Sequence, residues 1–175
     1  MKQPEIKLDV LALREEWRKL DNYGCFWSSP DNPRGLRLTP TIEAGRLSVE
    51  MEIEREHSGF PGIAHGGVAF TILDGLMGWF VMSHFARAGF TTNCSTQYKG
   101  PLHVGKKYLF QVTASQSEGD GKTVSLVGEV FPAQNPSAKA LVKMTADFMM
   151  PSRMIAEKVL QIELGEHGKK LFPEE

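Results

Sequence analysis

Ile63-Ala-His-Gly-Gly-Val-Ala-Phe-Thr-Ile-Leu-Asp-Gly-Leu-Met-Gly-Trp-Phe-Val-Met-Ser-His-Phe-Ala-Arg-Ala88 is the one run in the chain apolar enough to raise the question of a membrane. It carries Thr71, Asp74, Ser83, His84 and Arg87 together with four glycines, so it reads instead as a buried helix of roughly 20 residues. A helix apolar on nearly every side must be covered on nearly every side. The covering material stands on both flanks. From Arg46 to Glu54, Leu47, Val49, Met51 and Ile53 alternate with Ser48, Glu50, Glu52 and Glu54, the pattern of a strand with one buried and one wet face. Gly35 to Thr39 reads as a shorter strand before it, joined through residues 40–45.

Four strand-like runs follow the apolar helix: Phe90–Lys99, Lys107–Ser117, Lys122–Phe131 and Lys139–Met149. Regular alternation in the first puts Phe90, Thr92, Cys94, Thr96 and Tyr98 on one face. Glu118-Gly119-Asp120-Gly121 is a hairpin signal. Consecutive strands on short links favour antiparallel pairing. The expected fold is therefore α+β, an antiparallel sheet of about six strands curled around one long central helix. The alternative is a flat sandwich with the terminal helices on one face.

Outside that core, residues 5–20 place Ile6, Val10, Leu13, Trp17 and Leu20 at helical spacing, and residues 21–33 are turn-rich. After Pro151, Ser152 stands where it can cap a last helix carrying Ile155, Val159 and Ile162 on one side. The organisation expected is an amphipathic helix over 1–23, the main domain over 24–150, and a helix with a tail over 151–175. The 175 residues are 41% apolar and 23% charged with a formal net charge of −1, which disfavours nucleic acid as a partner. Two cysteines without a C-x-x-C pair indicate a reducing compartment, and residues 1–5 lack the apolar core of a signal peptide. The expectation is a cytoplasmic protein that uses neither membrane, metal nor cofactor.

The chemistry gathers in His57-Ser58-Gly59-Phe60-Pro61-Gly62-Ile63-Ala64-His65-Gly66-Gly67. Two glycines opening a helix leave backbone N–H groups unshielded at the positive end of its dipole, a place that stabilises an anion or a polarised carbonyl. The bland alternative is a flexible entry to a buried helix with His65 satisfied in the loop. Asp74 stands about two turns further on among Ile72, Leu73, Leu76 and Met77. A lone buried carboxylate is costly unless it is paired or faces a polar cavity. It shares a stripe with Gly67, Thr71, Gly75 and Gly78, small residues at spacings of three and four that predict close approach of a partner backbone or a ligand.

Gly59 through Gly67, with Asp74 nine residues after His65, closely resembles the hotdog-fold acyl-CoA thioesterases, in particular the phenylacetate-pathway (PaaI-like) branch. Thr92 through Pro101 resembles the family's strand ending in Tyr, a basic residue and Pro, and Cys25-Phe26-Trp27 with Asn32-Pro33-Arg34-Gly35-Leu36 resembles the entry of one bacterial subgroup. The resemblance implies a homodimer, or a dimer of dimers, with acyl-CoA sites at the subunit interface. The Gly66 N–H would polarise the thioester carbonyl, with Gly67 beside it, while His65 shapes the loop. Asp74 of the opposite subunit would be general base or nucleophile, and Thr91 would help hold the attacking water. His57 stands near where many relatives carry an amide that grips the carbonyl, and Gly100 stands where an arginine is usual.

Met77 lines an acyl tunnel or is plain core, along with Trp79, Phe80, Val81 and Met82. Lys99, with Lys106 and Lys107, meets coenzyme A phosphates or forms a solvated basic edge. Two other functions fit the same residues: an acyl-CoA or fatty-acid binding module without turnover, and a hydratase or dehydratase using His65 with Asp74.

Overall fold

A computed structural model describes residues 5–21, 23–114, 121–159 and 169–174. Six antiparallel strands form the main sheet: β1 (Thr41–Glu43), β2 (Arg46–Glu52), β5 (Phe90–Tyr98), β6 (Lys107–Ala114), β7 (Thr123–Pro132) and β8 (Val142–Met149). Their order across the sheet is β1-β2-β6-β7-β8-β5. A separate small hairpin pairs β3 (Ser58–Phe60) with β4 (Ile63–Ala64) and leads directly into the long helix α2 (Gly66–Phe85). A short helix α1 (Val10–Trp17) precedes the sheet.

Helix α2 is apolar nearly all round, and the sheet wraps it. Ile72, Leu73, Leu76, Met77 and Phe80 are fully buried against Phe110, Val112, Leu126, Val130 and Met144. Each such side chain contributes about 1.5–3 kcal/mol relative to exposure. The sheet comes closest at Gly128, where a Cβ would lie 2.8 Å from Met77 Cε and 2.9 Å from Leu73 Cδ2. Met77 thus stands in the core beneath the middle of the sheet. Ala86, in the left-handed conformation, ends the helix by donating its N–H to Met82.

Three local expectations are revised. Residues 35–39 are not a sheet strand: Leu36 and Leu38 donate their N–H groups to Phe26 and Trp27, so the segment runs beside its own preceding loop. The first strand lies in what reads as a connection, because Ala44 (φ 49°) and Gly45 (φ 75°) close a two-residue turn with both residues left-handed, the geometry that matches strand twist. The N-terminal helix is shorter than residues 5–20. Asp9 caps it by accepting from Leu11 and Ala12, while Lys7 and Leu8 donate to Ser83 in an extended approach. After Pro151 the described chain forms a π-helical turn, Ile155–Val159, whose Ala156 joins Leu13, Leu171 and Phe172 in a satellite cluster. The expected position of Ile162 and most of the hairpin turn at 118–121 lie outside the described residues.

Candidate active site

His65 is the N-cap of α2 and organises the turn around it. Its backbone N–H donates to the His57 carbonyl at 2.8 Å, its Nδ1 accepts from the Gly67 N–H at 3.0 Å, and its carbonyl accepts from the Val68 N–H at 2.9 Å. Of the first three N–H groups of the helix, two are therefore taken. That of Gly66 has no partner among the described residues. The glycines here answer to crowding. A Cβ at Gly67 would lie 2.9 Å from His65 Nδ1, one at Gly59 2.8 Å from His65 Cα, and one at Gly66 3.2 Å from the Tyr98 ring.

Gly66 and His65 open onto a cavity of about 720 Å³ whose other walls include Phe60, Ala69, Tyr98, Lys99 and Leu102. A helix-start N–H without a partner among the described residues, in a residue lining an open and partly apolar cavity, can stabilise a carbonyl oxygen gaining negative charge. His57 lies on the other side of His65, in a second hollow of about 510 Å³ with Arg34, Ser58, Gly67 and Thr71. Its Nδ1 accepts from the Glu54 N–H, so it ties the preceding turn together and does not reach the Gly66 side. Next to Pro101, His103, Lys106 and Lys107 border a third hollow of about 340 Å³.

Asp74 is half-buried and accepts at Oδ1 from Thr91 Oγ1 at 2.6 Å. Eight residues separate it from Gly66 on one helix, about 12 Å along the axis. The two do not meet within one copy of the chain. The small-residue stripe is filled largely by the chain itself. The Trp27 indole lies directly over Gly75, where a Cβ would overlap the ring, and its Nε1–H donates to the Ile72 carbonyl at 3.0 Å. Thr71 Oγ1 donates to the Gly67 carbonyl at 2.8 Å, and a Cβ at Gly78 would meet nothing within 4 Å.

Strict alternation misplaces the start of β5, where Phe90 stands on the face opposite to that of Cys94, Thr96 and Tyr98. Thr91 pairs with Phe148 but Asn93 with Asp147, so Thr92 is an extra residue in a bulge. The Thr92 hydroxyl donates to the Asp147 carbonyl, and the Asn93 amide donates to its carboxylate. Thr91 and Tyr98, an odd number of residues apart, then stand opposite Phe148 and Val142, both buried and six residues apart. Both therefore face α2. Tyr98 OH donates to the Gly66 carbonyl at 3.1 Å. The sequence marks Tyr98 only as part of a strand-ending motif. The bulge is what carries it and Thr91 to the same face, and no residue pattern announces it.

Residues 61–139 match the family model of the thioesterase superfamily. No curated protein matches the chain. Among solved structures, a thioesterase superfamily protein is similar at a TM-score of 0.60 and 20% identity, over 70% of this chain and 58% of that one. The chain thus spans less than two thirds of that protein's length. A Streptococcus mutans protein, solved bound to acetyl-CoA, gives 0.58 and 20% over 75% and 95% of the two chains. The Escherichia coli PaaI protein from the phenylacetic acid degradation operon gives 0.53 and 17% over 61% and 72%. The fold they share with this chain is the hotdog, a curled antiparallel sheet around one helix.

Proposed function

We propose, from the premise that this is a hotdog chain of the thioesterase superfamily, that it hydrolyses an acyl-CoA thioester to a free acid and coenzyme A. The observation that carries the reading is the Gly66 N–H, which has no partner among the described residues, at the start of a helix bordering the cavity. The thioester carbonyl sits against that N–H, which stabilises the oxyanion as water adds. A carboxylate takes the proton of the attacking water, the carbon–sulfur bond breaks, and the thiolate leaves. Asp74 is that carboxylate, supplied by a second copy because its own copy holds it about 12 Å from Gly66. Direct attack by Asp74 followed by hydrolysis of an anhydride uses the same placement. Thr91, bonded to Asp74, fixes the carboxylate and leaves its other oxygen for water.

The second copy joins through β5, a nine-residue strand at the sheet edge that is exposed along most of its length. An unpaired edge of that length is a template for another strand, and a twofold axis there would bring each Asp74 toward the other copy's helix start. Lys99 in the cavity wall and the basic rim of His103, Lys106 and Lys107 suit the phosphates of coenzyme A. The test is thiol release across short, medium, long and aromatic acyl-CoAs. Wild type turns over at least one, and Asp74→Ala loses at least about 100-fold in kcat while keeping its oligomeric state. Unchanged turnover in that variant removes Asp74 from the mechanism. Binding without thiol release leaves a binding module, and a change in enoyl absorbance without thiol release makes the chain a hydratase.

A further inference from the structure

The Gly66–Gly67 peptide is held at both ends by side chains from different elements. Its carbonyl accepts from Tyr98 OH of β5 at 3.1 Å, and its N–H donates to His65 Nδ1 of the cap at 3.0 Å. Two successive glycines give the helix start more backbone freedom than other residue pairs, so side-chain contacts that hold their shared peptide also narrow the direction of the N–H entering it. The Tyr98 ring also lies over Gly66, close enough that a Cβ there would stand 3.2 Å from it. The free N–H belongs to the preceding peptide, joined to the pinned one at Gly66 Cα, and its carbonyl is held by Val68. Once both planes are fixed, the Gly66 N–H has one direction. Tyr98 and Gly66 line the same cavity.

We infer that Tyr98 is a positioning residue: its hydroxyl, through the Gly66 carbonyl, aims the Gly66 N–H at the substrate oxygen. This deepens the thioesterase reading and rests on it. A donor that is present but loosely aimed still binds substrate and loses its advantage as charge develops on the oxygen.

Tyr98→Phe keeps the ring over Gly66 and deletes only the hydroxyl. The expected result is a kcat about tenfold lower with KM within about twofold, short of the roughly 100- to 1000-fold loss that follows deletion of an oxyanion donor itself. A side chain serving only to stabilise the fold would not produce that split between kcat and KM. Amide hydrogen exchange gives a second readout that needs no activity: the Gly67 amide exchanges faster in Tyr98→Phe than in wild type, while amides in the middle of α2 do not. An unchanged kcat, or an unchanged Gly67 exchange rate, overturns the inference. If wild type hydrolyses no acyl-CoA, the thioesterase reading falls and Gly67 exchange alone decides whether Tyr98 fixes the turn.

Discussion

At position 75 there is room for a hydrogen and nothing larger, because the Trp27 indole rests on the helix there and donates to the Ile72 carbonyl. Gly75→Ala should therefore lower stability by about 1–3 kcal/mol through overpacking, although alanine is the better helix former. Urea unfolding followed by Trp fluorescence measures it, and a gain in stability would contradict the packing described. The stripe of small residues was legible in the sequence as a place of close approach. Its occupant was not, because Trp27 stands in a turn-rich segment with no periodicity to say where it lands. Asp74 was legible as an anomaly for the opposite reason. A carboxylate among Ile72, Leu73, Leu76 and Met77 breaks a pattern strong enough to read.

Helix α2 carries a second ionisable side chain near its far end. His84 is buried, stacked on Phe80 at 3.9 Å between ring centres, with Nε2 at 2.9 Å from the Gly45 carbonyl and Nδ1 at 2.7 Å from Ser83 Oγ. The Gly45 carbonyl can only accept, so Nε2 carries the proton that binds it. Burial holds the His84 pKa below its ordinary value of 6.5, against hydrogen bonds to Gly45 and Phe80 that raise it. The folded chain thus binds this proton less readily than the unfolded one. The stability contributed by neutral His84 is complete above about pH 6.5 and is lost as pH falls, with a slope of up to about 1.4 kcal/mol per pH unit. Urea midpoints between pH 7.5 and 5 should fall more steeply for wild type than for His84→Asn, and equal slopes would exclude the histidine as the cause. The anchored hairpin is where sequence reading of the elements failed. Residues 35–39 alternate as a strand does, yet the tight turn at Ala44-Gly45 gives the ladder to Thr41–Glu43. Alternation shows that a segment is extended, and turn geometry decides what it pairs with.

For the whole molecule, the proposed reaction makes activity a property of pairs, because the two groups it uses stand about 12 Å apart on one helix, with Gly66 at a cavity and Asp74 beside an open sheet edge. Chains carrying Asp74→Ala and chains carrying Gly66→Val should each be inactive alone. Mixed and allowed to exchange subunits, they should recover about a quarter of wild-type activity, since half of randomly formed pairs hold one intact site out of two. Thiol release from the mixture measures it, and no recovery would mean that each copy uses its own Asp74. The curled sheet and its central helix were legible from hydrophobic patterning because both must bury one long apolar surface. Whether β5 pairs with another copy was not, since a polar strand of this kind looks the same whether it ends in water or in a neighbour. The bulge at Thr92 also reaches beyond this chain. A related gene that had lost that single codon could keep both contacts only with its hydroxyl six places before its tyrosine, so the interval between the two serves as a ruler for recognising the same kink across genomes.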